Sequence, residues 1–306
     1  MSEITKDSFK RIMIDKSQSE EIARPSIGYW QDAWRRLKQN KLAMMGLWLI
    51  IILSLMAIFG PLMTPYSHET QNLKNTNQGL SAEHWFGTDD LGRDVFTRVW
   101  VGGRISLFIG LTAALIDLII GVMYGGISGY KGGKVDQIMM RIVDVLWGLP
   151  YLIVVILLMV VMEPGLTSII IALVATGWLG MARLVRGQIL QIKRMEFILA
   201  AKTLGANTTR LLFKHLIPNT MGPIIVNMTL TVPGAIFAEA FLSFIGLGVQ
   251  APLASWGTMV NEGIVTMISG YWWRLVFPGF FISLTMFAFN VFGDGLRDAL
   301  DPRLRK

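Results

Sequence analysis

Long apolar runs alternate with polar breaks along this chain, and six of the runs are long enough to cross a membrane. Residues 42–63 are 22 positions without a charge, 105–130 carry Asp117 alone, and 142–162 carry Asp144 near their start. Residues 165–182 and 275–293 are uncharged, and 221–248 carry only Glu239. A hydrocarbon core of ~30 Å needs about 20 apolar residues in a helix. Backbone groups in lipid must be satisfied within the segment, so these runs are helices and not strands. The pattern predicts an all-α polytopic membrane protein with six transmembrane helices.

One polar break stands out by its length. Between the fourth and fifth runs lie 36 residues, 183–218, that are basic, helix-like and not low in complexity. Connections beyond roughly 12–15 residues are usually functional or disordered. This one predicts two short helices, one ending at Leu204 and one starting at Asn207, broken at Gly205. A helical element held out from a membrane bundle is suited to docking in a groove on a soluble partner. The second outer break, 249–271, contains Pro252, Trp256 and Gly257 and is expected to re-enter the membrane in part.

Charge gives the orientation. With the amino terminus inside, segments 1–41, 131–141, 183–218 and 294–306 hold 23 of the 28 Lys and Arg residues. The bias predicts amino and carboxyl termini both in the cytoplasm. It also accounts for the net charge of +7 without nucleic acid. Ile27, Trp30, Trp34 and Leu37 recur at helical spacing among Arg35, Arg36 and Lys38, as in an amphipathic helix on the inner membrane surface. By this reading residues 1–26 are a disordered cytoplasmic tail and 27–41 the interfacial helix. Residues 42–104 are the first crossing with a long outer loop, and 105–306 a five-helix core carrying the loop 183–218.

Composition narrows the chemistry. Hydrophobic residues make up 53% of 306 and charged residues 16%; mean hydropathy is +0.51. Cys is absent, which excludes disulfides, thiolate metal sites and Cys nucleophiles. The first 41 residues are polar and the first apolar run is too long for a signal-peptide core, which argues against a cleavable leader. There is no G-x-x-x-x-G-K-[ST]; Gly133-Lys134 is followed by Val135, so no P-loop holds ATP here. With three His residues, no metal-ligand set or Ser-His-Asp constellation stands out. No catalytic residue, metal ligand or cofactor of its own is expected.

Five stretches carry a family resemblance. Within the long loop, Ala200-Ala201, three residues, Gly205 and the closing Pro218 match the pattern E-A-A-x3-G-x9-I-x-L-P, with Leu199 in place of Glu and His215 in place of the first Ile. Residues 84–107 read HWFGTDDLGRDVFTRVWVGGRISL and residues 239–257 read EAFLSFIGLGVQAPLASWG. Residues 144–150 read DVLWGLP and residues 289–304 read FNVFGDGLRDALDPRL. Together they resemble the C-type permease subunit of peptide and nickel ABC importers, most like oligopeptide or dipeptide permeases, from about Tyr29 to the carboxyl terminus.

The resemblance implies a type I ABC importer permease fold in the bacterial cytoplasmic membrane. It implies a homologous permease partner, two cytoplasmic ATPase subunits that use ATP and Mg, and an extracytoplasmic binding protein delivering a peptide. It makes the loop an ATPase-coupling element, with Glu196, Ala200, Ala201, Leu204, Gly205 and Pro218 as its expected residues. Oligopeptides are the expected cargo; dipeptides and nickel chelates are the alternatives. A secondary transporter driven by an ion gradient is the rival class, for which no inverted repeat is visible.

Intramembrane acids usually face a cavity or a partner. Asp117 is open to either a place on the translocation pathway or an interhelical hydrogen bond. For Glu239 a structural or gate-forming hydrogen bond is favoured. Gly121, Gly125, Gly129 and Gly133 form a small-residue face for close helix packing. Pro150, Pro233 and Pro278 are expected to kink their spans around a central cavity. Tyr271, Trp272 and Trp273 are expected to form an interfacial belt.

Overall fold

The computed structural model describes residues 28–301. The predicted tail 1–26 lies outside them, as do Ile27 and residues 302–306. Ten helices make up the described chain, with no strand among the described residues beyond an isolated bridge between Thr88 and Asp94. They are α1 (Tyr29–Gln39), α2 (Lys41–Phe59), α3 (Val95–Lys131), α4 (Gly133–Trp147) and α5 (Tyr151–Met162). Then come α6 (Leu166–Ile192), α7 (Glu196–Thr203), α8 (Thr208–Phe244), α9 (Trp256–Met267) and α10 (Trp273–Leu300).

Five helices are long and apolar enough to cross a membrane: α2 with its closing turn, α3, α6, α8 and α10. A sixth crossing is counted only if α4 and α5 form one span, and these two are bent by 83° at their junction. The kink expected at Pro150 is thus a full break that divides 142–162 between two helices. The break falls at Gly148-Leu149-Pro150. Pro150 lacks an N–H and disfavours helical geometry at Leu149, which makes this the weak point of the span. Pro233 and Pro278 behave otherwise: each sits inside an unbroken helix.

Helix ends also run past the apolar runs. α3 begins ten residues before Ile105, α6 extends ten residues beyond Ala182, and α10 extends to Leu300. The expected loop 183–218 thus shrinks to a connection between α6 and α8 that contains α7. Hydropathy reports contact with lipid, whereas helix continuation only needs the backbone ladder unbroken. α3 has 37 residues and, at 1.5 Å per residue, spans about 55 Å, far beyond the ~30 Å apolar core. Its ends therefore build structure outside the bundle.

α3 is central. Its Gly121 lies against Met181, Gly125 against the Ala182 carbonyl, and Gly129 against Arg186 and Ile189 of α6. Gly133 meets nothing within 4 Å and drops out of the expected face. At the other end Gly103 lies against the Trp256 ring of α9 and Gly110 against Ile236 of α8. Small residues allow backbones to approach, which drives packing where lipid removes the hydrophobic advantage. α1 is amphipathic as expected, but its faces divide differently. Ala33 and Leu37 are buried near the end of α10, while Trp30 and Trp34 stay exposed.

Gly125→Leu should overpack the α3–α6 contact and lower stability by about 1–3 kcal/mol or more. Gly279→Leu, where a Cβ meets nothing within 4 Å, should cost far less. Thermal unfolding of the purified variants in detergent compares the two.

Candidate functional site

The connection from α6 to α8 is an ordered unit. α7 carries Glu196 in its first turn, where a carboxylate complements the helix dipole. It ends in a Schellman turn: the Ala206 N–H donates to the Ala201 carbonyl and the Gly205 N–H to the Lys202 carbonyl, both at 3.0 Å. Gly205 sits at φ +82°, which glycine adopts without strain. Asn207 then caps α8, its side chain accepting from the Arg210 N–H at 2.8 Å. Ile198 is buried among Ile192, Leu211 and Leu216, and Ala201 and Ala206 pack on the same cluster. Lys193 donates to the carbonyls of Gly129 and Tyr130 at the end of α3.

The opposite face of this unit is bare. Met195, Phe197, Leu199 and Phe213 are exposed, Ala200 and Gly205 are open, and Leu204 is 87% exposed. Ala200 is therefore exposed, while Ala201 next to it is half-buried against the cluster. Pro218 is exposed where α8 returns from a π-helical stretch over Leu211–Leu216. The Ile217 N–H donates to the Leu212 carbonyl, five residues back. The wider π turn leaves room for a proline ring that would otherwise meet the preceding turn. α8 thus joins the loop to the bundle without a break.

The two acids have different surroundings. Glu239 is fully buried and accepts from three serines: Ser106 Oγ at 3.1 Å, Ser243 Oγ at 2.7 Å and Ser255 Oγ at 2.6 Å. Ser255 also caps α9 in a capping box with Thr258. The Trp256 N–H donates to Ser106 Oγ at 3.2 Å, and its indole N–H to the Val99 carbonyl at 2.7 Å. Glu239 therefore ties α3, α8 and the start of α9 together. Asp117 is buried, but its Oδ1 has no hydrogen-bond partner within the described residues. It lines a cavity of about 260 Å³ between α3, α5, α6 and α8.

The α2–α3 connection is held by charge. Asp89 accepts from the N–H groups of Leu91 and Arg93 at 2.9 Å, from Arg93 Nε at 2.7 Å, and from Arg98. Arg98 also reaches Glu262 of α9 at 3.0 Å, and Arg274 of α10 reaches Asp90 and Asn77. Burial acts to raise the Asp89 carboxyl, but Arg98 and Arg93 more than offset it and hold it below the usual carboxylate range. Trp273 is buried, its indole N–H donating to the Thr88 carbonyl at 3.1 Å. It belongs to this network and not to the expected belt, which keeps Trp272 exposed.

Comparison with known proteins places this architecture. Residues 121–306 match the family model described as binding-protein-dependent transport system inner membrane component. The chain belongs to this family. Residues 28–79 match the N-terminal transmembrane domain of oligopeptide transport permease C. The dipeptide transport system permease protein DppC of Bacillus subtilis is 66% identical over 94% of this chain and 90% of its own length. The oligopeptide transport system permease protein OppC of the same organism is 58% identical over the whole of both chains. OppC of Escherichia coli K12 is 42% identical over 94% and 95%.

Within this inner membrane component, sequence reading located the loop residues and both acids but missed their partners. Tyr151 shares the Asp117 cavity and Ser106 and Ser255 bind Glu239, yet they lie 34, 133 and 16 residues away in the chain. No periodicity links such positions. The exposed apolar face was legible only in part, because Phe197 and Leu199 look like core residues until the fold turns them outward.

Glu239→Leu should orphan three hydroxyls, each costing about 1–3 kcal/mol, and sharply lower the thermal midpoint. Glu239→Gln, which keeps one acceptor, should lose less. Asp89 predicts the effect of acid on the α2–α3 connection. Its folded pKa is depressed, so its stabilisation is complete above an unfolded value of ~3.9 and is lost as pH falls through the folded value. Limited proteolysis should find this connection protected at pH 5. Cleavage should begin only well into the acid range, and at higher pH in Arg98→Met.

Proposed function

We propose that this chain is the permease subunit of an ATP-driven importer that moves peptides inward. Both the dipeptide and the oligopeptide relatives match along nearly their whole length, so the proposal is for peptides as a class. The subunit pairs with a homologous permease, two cytoplasmic ATPase subunits and an extracytoplasmic binding protein. The amino and carboxyl termini and the α7 end face the cytoplasm, in keeping with the excess of Lys and Arg on that side. ATP is bound and hydrolysed by the partners, not by this chain.

The observation that carries the reading is α7 with its bare face. An apolar helix exposed in a polar loop, fixed to the bundle through Ile198 and joined to α8 by the short turn at Gly205, is built to be held by a partner. Closing of the ATPase dimer pulls on α7, and the motion passes along α8 as a rigid body. At the far end of the same helix Glu239 holds Ser255 and the start of α9. The pull therefore reaches the opposite face of the bundle.

Ala200→Arg and Gly205→Trp test this in the assembled transporter. Ala200 is exposed, so Ala200→Arg should reach the membrane in normal amounts; Gly205→Trp meets open space but strains the left-handed turn at φ +82°, so uptake is compared at equal amounts of membrane protein. Uptake of a labelled tripeptide should fall by at least about tenfold, the factor that 1.4 kcal/mol of lost docking energy gives. ATP hydrolysis should no longer rise with loaded binding protein. Uptake at the unaltered rate in both variants would overturn the coupling role.

A further inference from the structure

The cavity beside Asp117 is lined by two residues that each carry a buried polar atom with no hydrogen-bond partner among the described residues, Asp117 Oδ1 and the Tyr151 hydroxyl. Asp117 is 4% exposed, and its carboxyl is given room by Gly177, where a Cβ would overlap it. Buried polar groups are almost always paired, and an orphan in a native fold calls for a partner from outside. Thr176 and Thr231 also line the space, and the remaining walls are small or apolar. Tyr151 is the first residue of α5, directly after the 83° break.

We propose that this cavity is an amine subsite, in which Asp117 and Tyr151 receive the protonated amino terminus of a peptide during its passage. The inference rests on the peptide reading above and adds a binding place within the bundle. An ammonium group brings three donors and no acceptor, which matches a carboxylate oxygen and a phenol that both lack a bond. The lining residues include no Lys, Arg or His, so the peptide's carboxylate end would find no counter-charge. About 260 Å³ is below the ~300–1,000 Å³ typical of sites that enclose a whole small ligand. It suits one end of a peptide whose remainder lies outside the cavity.

The test uses the complete transporter in proteoliposomes, and the permease–ATPase complex without binding protein for equilibrium dialysis. The probes are radiolabelled trialanine and N-acetyl-trialanine. Asp117→Asn keeps the side-chain shape and should weaken trialanine binding on the order of tenfold to a hundredfold, the usual range for a lost charge-assisted hydrogen bond. Tyr151→Phe should weaken it less, and Gly177→Ala should act like Asp117→Asn by displacing the carboxyl. The acetylated peptide should bind wild type as weakly as trialanine binds Asp117→Asn. Tyr151→Phe and Gly177→Ala carry the test alone if Asp117→Asn fails to assemble. Equal binding of both peptides by wild type, or trialanine binding unchanged in the variants, overturns the subsite. If wild type transports trialanine in that case, the peptide reading stands. If wild type transports no peptide, both fall.

Discussion

α3 and α6 approach so closely that a Cβ at Gly125 would overlap the Ala182 carbonyl. In lipid there is no hydrophobic gain from bringing two apolar helices together, so contact of this kind supplies the attraction. Much else is hung on the helix that this contact holds in place. At one end α3 carries Arg98 into the Asp89 and Glu262 network. One turn further it offers Gly102 and Gly103 to α9, and then Ser106 to Glu239. Asp117 opens on the cavity at mid-length, and the last carbonyls accept from Lys193.

Polar groups in such a bundle have two fates, and the two acids illustrate them. Glu239 is surrounded by donors and holds three helices in one register. Removing it leaves those donors without a partner in a medium that supplies none. Asp117 is left with space and an unused oxygen. Burial alone does not separate a structural acid from one kept for a ligand. What separates them is whether the neighbouring side chains already use the available lone pairs.

The spans were legible because hydropathy tracks exposure to lipid. Their limits were not, because α6 and α10 continue as helices through polar residues that keep the backbone ladder intact. The break at Gly148-Leu149-Pro150 was signalled by Pro150, yet Pro233 and Pro278 carry the same signal inside unbroken helices. Propensity marks where a helix can break; packing decides whether it does. In the α7 loop, Gly205 and Asn207 were readable because a left-handed turn and a helix cap each need a particular residue type. That Ala200 is exposed while Ala201 is half-buried was not readable, since both are the same small residue.

The sequence by itself determined the class of the molecule: an all-helical membrane bundle, five of its crossings, its charge asymmetry, and a polar loop with a glycine break. These follow from local rules of length, hydropathy and turn chemistry. The tertiary structure alone decided that Glu239 is an internal tie, that Asp117 shares a cavity with Tyr151, and that Trp273 is a buried donor. Each depends on residues many positions apart being brought side by side. No local pattern encodes such a distance, because it is set by how closely the helices are able to pack.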